Sequence, residues 1–219
     1  MAEAFGFLRT SRKSGSEQFR RDGESLEFAL LDFWQWSASD LVGNTARGVL
    51  AEYIVARALG IPTSGVREVW AAYDLETEDG LRIEVKSAAF VQSWSQKKLS
   101  AIQFVVPRRR GWDPETNIME EEPSRHAHVY VFALLAHQDK ATVDPLNLSQ
   151  WRFYVLPTRV LEERARSQHS IALSSLEALA GPPMDFWSLG KAVSRSGTGT
   201  SINPANNSLQ RDPGESEVG

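Results

Sequence analysis

Between residues 24 and 36 apolar side chains crowd the chain: Leu26, Phe28, Leu30, Leu31, Phe33, Trp34 and Trp36. That density predicts a buried helix, although so many aromatics would also suit a strand. A helix over 44–59 is marked more sharply. Asn44 or Thr45 can cap its start, and Gly60 with Pro62 ends it. Val49, Leu50, Tyr53, Ile54, Val55, Ala56 and Leu59 give it apolar faces, so it should be largely buried. Residues 66–77 and 81–87 then alternate between apolar and polar and flank Asp79-Gly80, which predicts a β-hairpin.

A turn-rich stretch over 88–99 leads to three strand candidates, at 101–107, 127–135 and 150–156, and to helices at 157–168 and 173–180. The pattern predicts an α/β fold, a central mixed β-sheet flanked by helices. Polar, Ser- and Gly-bearing sequence at both ends predicts a flexible N-terminal segment over 1–23 and a disordered tail over 191–219. Residues 24–190 should form one domain, without internal repeats.

The chain has 219 residues, 42% of them hydrophobic, enough for a single core without covalent staples. It contains no cysteine, which excludes disulfides, thiolate zinc sites and a cysteine nucleophile. The longest apolar run, 127–136, includes His128 and is half of what a bilayer span requires, and the N-terminus lacks the apolar core of a secretory signal. A soluble cytoplasmic protein with no membrane partner is expected. With a net charge of −4, binding to nucleic acid would have to rest on a local basic surface and on bound cations.

Candidate chemistry concentrates in the second helix and the hairpin. Glu52 has Gly48, Val49, Val55 and Ala56 three and four residues away, so no polar companion shares its face. Such a carboxylate pairs with an arginine such as Arg47 or Arg57, reaches solvent past its small neighbours, or binds something else. On the second hairpin strand Glu84 and Lys86 point to one side, Ile83 and Val85 to the other. Where Asp74 points depends on the turn. A two-residue loop would set Asp74 opposite Val85, on the wrong face. A three-residue loop, Glu78-Asp79-Gly80 with Gly80 left-handed, sets Asp74 opposite Glu84, Tyr73 opposite Val85 and Leu75 opposite Ile83. The second register matches apolar with apolar and is preferred. It leaves two carboxylates close enough to share a hard cation. The competing reading is a solvated face of alternating charge.

In order and spacing, Gly48-Val49-Leu50-Ala51-Glu52-Tyr53, Tyr73-Asp74-Leu75 and Ile83-Glu84-Val85-Lys86-Ser87 resemble the PD-(D/E)XK nuclease superfamily over about residues 44–105. Tyr73 stands where that pattern has proline. The resemblance implies a restriction endonuclease-like core, DNA as substrate and Mg²⁺ as cofactor, with Mn²⁺ able to substitute. It implies that Asp74, Glu84 and the Val85 carbonyl hold the metal, that Lys86 positions or helps deprotonate the attacking water, and that Glu52 binds a second metal or its water shell. A double-strand cut by a single-site enzyme would need two copies, so a homodimer is an expectation.

Substrate contacts are expected from Gln92, Gln96, Lys97 and Lys98, which follow the active strand, and from Arg108, Arg109 and Arg110. The arginine run could instead be balanced by Glu120, Glu121 and Glu122 in the same long loop. His126 and His128 alternate onto one face but lack a third zinc ligand, so packing roles are expected. Among the tryptophans only Trp94 and Trp112, in loops, are candidates to meet substrate. No phosphate loop, nucleophile elbow or metalloprotease motif is present. The alternatives to a nuclease are a non-cleaving DNA- or protein-binding module on the same fold and an interaction protein whose hairpin charges are surface.

Overall fold

Val129–Leu135 is buried along its whole length, a condition met by a strand inside a sheet covered on both faces. A computed structural model of the chain, which describes residues 5–6, 8–165 and 168–197, shows what covers it. In chain order the elements are β1 (Gln18–Arg21), β2 (Glu24–Ala29), α1 (Leu30–Ala38), α2 (Asn44–Leu59), β3 (Leu75–Glu76), β4 (Arg82–Ala89), β5 (Gln103–Val105), β6 (Trp112–Asp113), β7 (Ile118–Met119) and β8 (Val129–Leu135). They continue with β9 (Trp151–Pro157), α3 (Thr158–Glu162), β10 (Ser170–Ala172), α4 (Leu173–Ala180) and α5 (Phe186–Gly197).

The chain is a mixed α/β fold around a four-stranded mixed sheet in the order β3-β4-β8-β9. β4 runs parallel to β8, while β3 and β9 are antiparallel to their neighbours. On one face Ile83, Val85, Val131, Ala133, Trp151 and Phe153 pack with Ala51, Ile54 and Val55 of α2 and with Leu189 and Val193 of α5. On the other, Ala88, Tyr130, Phe132, Leu134, Tyr154 and Leu156 pack with Phe104, Leu161, Ile171 and Leu176. Glu84 and Lys86 belong to this second face, at the end where the apolar cover stops. Among the described residues no helix is long and apolar enough to cross a membrane.

Several expectations are corrected. The helix predicted over 24–36 is a strand and then a helix: Asp22 and Gly23 take positive φ (53° and 91°) to turn a hairpin that pairs β1 with β2. Phe19 and Phe28 meet across it, ring centroids 4.7 Å apart. α1 starts only at Leu30, where the Asp32 carboxylate accepts the Ala29 N–H, and it buries no residue. Neither Asn44 nor Thr45 caps α2; the N-cap is Gly43. Val49 and Tyr53 of α2 are exposed. At its other end Gly60 is left-handed (φ 74°), and its N–H reaches the Ala56 and Arg57 carbonyls, as expected. β5 leaves the main sheet to pair with β10. The helix expected over 157–168 is the short α3, and α5 occupies 191–197, assigned by sequence to the tail. Residues 198–219 of that tail lie outside the described residues.

Candidate active site

The hairpin adopts the three-residue loop. Leu75 pairs with Ile83 and Glu76 with Arg82. The Thr77 N–H donates to the Leu81 carbonyl at 3.1 Å, the Gly80 N–H donates to the Thr77 carbonyl at 2.9 Å, and Gly80 has φ 80°. Asp74 therefore stands at the position opposite Glu84. An L side chain at Gly80 would be strained: Gly80→Ala should destabilise the protein by about 1–2 kcal/mol, read as a lower urea midpoint.

Regular pairing stops at Leu75, so the first strand is far shorter than the predicted 66–77. Tyr73 does not meet Val85. Its ring lies beneath the Arg82 guanidinium, 5.7 Å from the centroid, and packs with the second core cluster. Asp74 turns its side chain onto the edge of β4 that β3 leaves open. The Val85 N–H donates to Asp74 Oδ2 at 2.7 Å, and the Asp74 N–H to the Ile83 carbonyl at 3.1 Å. Because N–H and C=O of one strand residue point to the same side, the Val85 carbonyl opens onto that edge beside Asp74.

Glu84 and Lys86 form an ion pair, and both are largely shielded from solvent. Burial raises the Glu84 pKa above the ordinary carboxylate value and the Asp74 charge pushes the same way, opposed by Lys86 and Arg109. Tyr130, the β8 neighbour of Glu84, is raised to about 12 by burial first and then by the Glu84 charge. The Glu84 carboxylate is thus largely withdrawn from solvent, with the Asp74 charge near it.

Glu52 reaches this field from α2, and its partner is neither Arg47 nor Arg57. Arg67 grips it with Nε on one oxygen and Nη2 on the other, the latter at 2.8 Å. Burial raises the Glu52 pKa; the Arg67 hydrogen bond opposes that and the Asp74 charge adds to it, with Lys86 also within electrostatic reach. Arg47 is buried instead beneath the end of β4. It donates to the Val42 carbonyl (2.6 Å), Asn44 Oδ1 (2.6 Å) and Ser87 Oγ (3.2 Å).

Among the described residues no three His, Cys, Asp or Glu side chains gather in a group that could hold a metal ion. The site offers two carboxylates, Asp74 and Glu84, and one backbone carbonyl, Val85. Those are all-oxygen donors of the kind a hard divalent cation takes while keeping several waters. Added positive charge would also relieve the desolvation and mutual repulsion that raise Glu84. By donor type these oxygens match what such an ion takes, and Glu52 stands beside them in the grip of Arg67.

A family model described as bacteriophage T4 endonuclease IV matches residues 17–175. The chain belongs to the bacteriophage T4 endonuclease IV family, a family of nucleases. No curated protein matches it. The endonuclease IV match spans Glu52, Asp74, Glu84 and Lys86 together with every substrate-contact candidate.

Those candidates divide. Gln92 is buried, its amide N–H donating to the Ala89 carbonyl at 2.9 Å and its oxygen accepting from Arg47 at 3.4 Å. Gln96 accepts the Gln92 N–H at 2.7 Å and donates to Ser100 Oγ at 3.1 Å. Gln96 thus ties the loop after β4 to itself, and Gln92 ties it to β4 and to Arg47 of α2. Lys97, Lys98, Arg109 and Arg110 are exposed. Arg108 pairs with Glu162 at 3.6 Å. Arg109 bears on Glu84 electrostatically, which brings the arginine run to the edge of the site. Glu120 does not neutralise that run: its carboxylate accepts the Gly111 N–H at 3.1 Å and faces His126 at 3.4 Å. His128 accepts the Arg82 N–H at 3.0 Å, a packing role. Trp94 is exposed, and Trp112 meets Trp70 edge-on with centroids 5.4 Å apart. Sequence reasoning missed Arg67, which reads as one polar position of the strand expected over 66–77 and lies instead in a stretch without helix or strand, and Tyr130, which reads as one more apolar position of β8.

Proposed function

We propose that the protein is a metal-dependent endonuclease that hydrolyses DNA phosphodiesters, with a restriction endonuclease-like core of the PD-(D/E)XK type. One observation carries the reading: the three-residue turn sets Asp74, the Val85 carbonyl, Glu84 and Lys86 around one open sheet edge, in a chain whose family is one of nucleases. The order of the four-stranded sheet, an antiparallel hairpin followed by a parallel neighbour, supports the proposed core.

In this reading Asp74, Glu84 and the Val85 carbonyl hold Mg²⁺ or Mn²⁺. The ion supplies charge neutralisation at the phosphate and acidification of water. Water adds to phosphorus, the bond to one ester oxygen breaks, and that oxygen leaves with a proton. Lys86, an ammonium fixed by Glu84, donates to the attacking water or to a non-bridging oxygen where negative charge grows. The half-buried setting strengthens that contact relative to water. Arg109 and the exposed lysines at 97 and 98 attract the backbone phosphates despite the protein's net negative charge.

Supercoiled plasmid incubated with the purified protein and Mg²⁺ should be nicked or linearised, and EDTA should stop the reaction. Without DNA, Mg²⁺ at a hundredfold excess over its Kd should stabilise the wild type by about 2.7 kcal/mol, and Asp74→Ala should lose most of that gain. A wild type that binds DNA and never cuts it, with no Mg²⁺-dependent stabilisation, would leave the non-cleaving module as the answer.

A further inference from the structure

The chemistry proposed above leaves Arg67 without a role, yet its guanidinium borders the site. It lies in the stretch between α2 and β3, residues 60–74, which contains no helix or strand. Its side chain is 40% exposed, against 13% for the Glu52 it holds, so the basic half of the pair faces outward. Arg67 also bears electrostatically on Asp74. Arg109 meets the site from another loop, at Glu84. Trp70, in the same stretch as Arg67, meets Trp112 at the start of β6, just after the Arg109 segment, edge-on.

We propose that Arg67 is a clamp for a DNA backbone phosphate and that Glu52 holds its place until substrate arrives. The proposal rests on the nuclease reading for where the DNA lies. A guanidinium presents the same planar fork to a carboxylate and to the two unesterified oxygens of a phosphodiester. In the free protein the Glu52 carboxylate fills that fork, bidentate, as a phosphate would. The Arg67 half of the pair is 40% exposed, so an incoming phosphate reaches the fork from solvent and competes with Glu52 for the same two donors. Transfer of Arg67 to a phosphate puts one cation beside Asp74 while Arg109 covers Glu84, so a strand crossing the carboxylates is gripped at both ends. The same transfer frees Glu52 to face the site.

Binding of a fluorescently labelled DNA oligonucleotide in EDTA tests the clamp without any cleavage step. Arg67→Ala should weaken binding about tenfold and lower the slope of log Kd against log salt by about 0.7–0.9, the signature of one lost phosphate contact. Arg67→Lys, which keeps the charge and loses the fork, should fall between the two. Glu52→Gln should tighten binding severalfold, and that gain should vanish when Arg67 is also alanine. An unchanged Kd and salt slope in folded Arg67→Ala or Arg67→Lys overturns the clamp. So does a Glu52→Gln gain that persists in the double variant, since it then reflects removal of a negative charge alone. A wild type that cuts DNA with no dependence of binding on Arg67 refutes the clamp and leaves the nuclease reading standing; the Arg67 pattern in a protein that never cuts does the reverse.

Discussion

Lys86→Ala is expected to slow plasmid cleavage roughly 10²–10³-fold, the usual consequence of removing one donor aimed at developing negative charge. Its fold should persist, because the lost ammonium lies at the margin of the sheet and not in either apolar cluster. Lys86→Arg should not restore the rate, since a planar fork cannot occupy the place of a compact ammonium beside Glu84. The pH profile gives a second signature. Lys86 is one of the groups that hold the raised Glu84 pKa down. Without it that pKa rises further, so Glu84 takes up its proton at higher pH, and a protonated carboxyl is a poor ligand for a cation. The acid limb of activity should therefore move to higher pH in Lys86→Ala. Cleavage by the variant at the wild-type rate, with an unmoved acid limb, would remove Lys86 from the mechanism.

The hairpin that carries this chemistry was legible because two independent signals agree. Leu75 and Ile83 match in only one of the two possible registers, and Gly80 stands where that register needs a left-handed residue. Once the turn is known, Asp74 opposite Glu84 follows from strand geometry alone. The length of the first strand did not follow, because Tyr73 finds a better partner in the Arg82 guanidinium than in the ladder. The segment over 24–36 was misread for a different reason. β2 and α1 contain no buried residue, so their apolar positions do not follow one period, and a turn made by Asp22 and Gly23 decides the outcome. α5 could have been found: Leu189 and Val193, four residues apart, are its two buried positions, in a stretch whose serines and glycines suggested a tail. The partners of long polar side chains lay beyond reach. Nothing along the chain shows that Gln92 turns inward to Arg47, or that Arg67 crosses fifteen positions to Glu52.

The largest effect on stability is expected from Trp151→Ala, about 3–5 kcal/mol, against a total of about 5–15 kcal/mol for an ordinary domain. Trp151 opens β9 and is 0% exposed. Its ring stacks on Phe153 with centroids 6.3 Å apart and planes 11° from parallel. Truncation would leave a void in the cluster that β8, β9 and α5 share, elements too constrained by one another to collapse into it. The indole N–H donates to the Pro145 carbonyl at 2.9 Å, so Trp151→Phe should give up that bond while filling most of the volume, and lose clearly less than alanine does. Urea denaturation followed by far-UV circular dichroism reads both. The consequence for function is indirect: β9 supports β8, and β8 pairs with β4 from Ile83 to Ala89. Activity of Trp151→Ala should fall with the folded fraction, while KM measured on the folded protein stays near wild type. A Trp151→Ala protein as stable as wild type would mean that this face of the sheet is not packed by α2 and α5, and β4 would then have no fixed platform from which to hold Glu84 and Lys86.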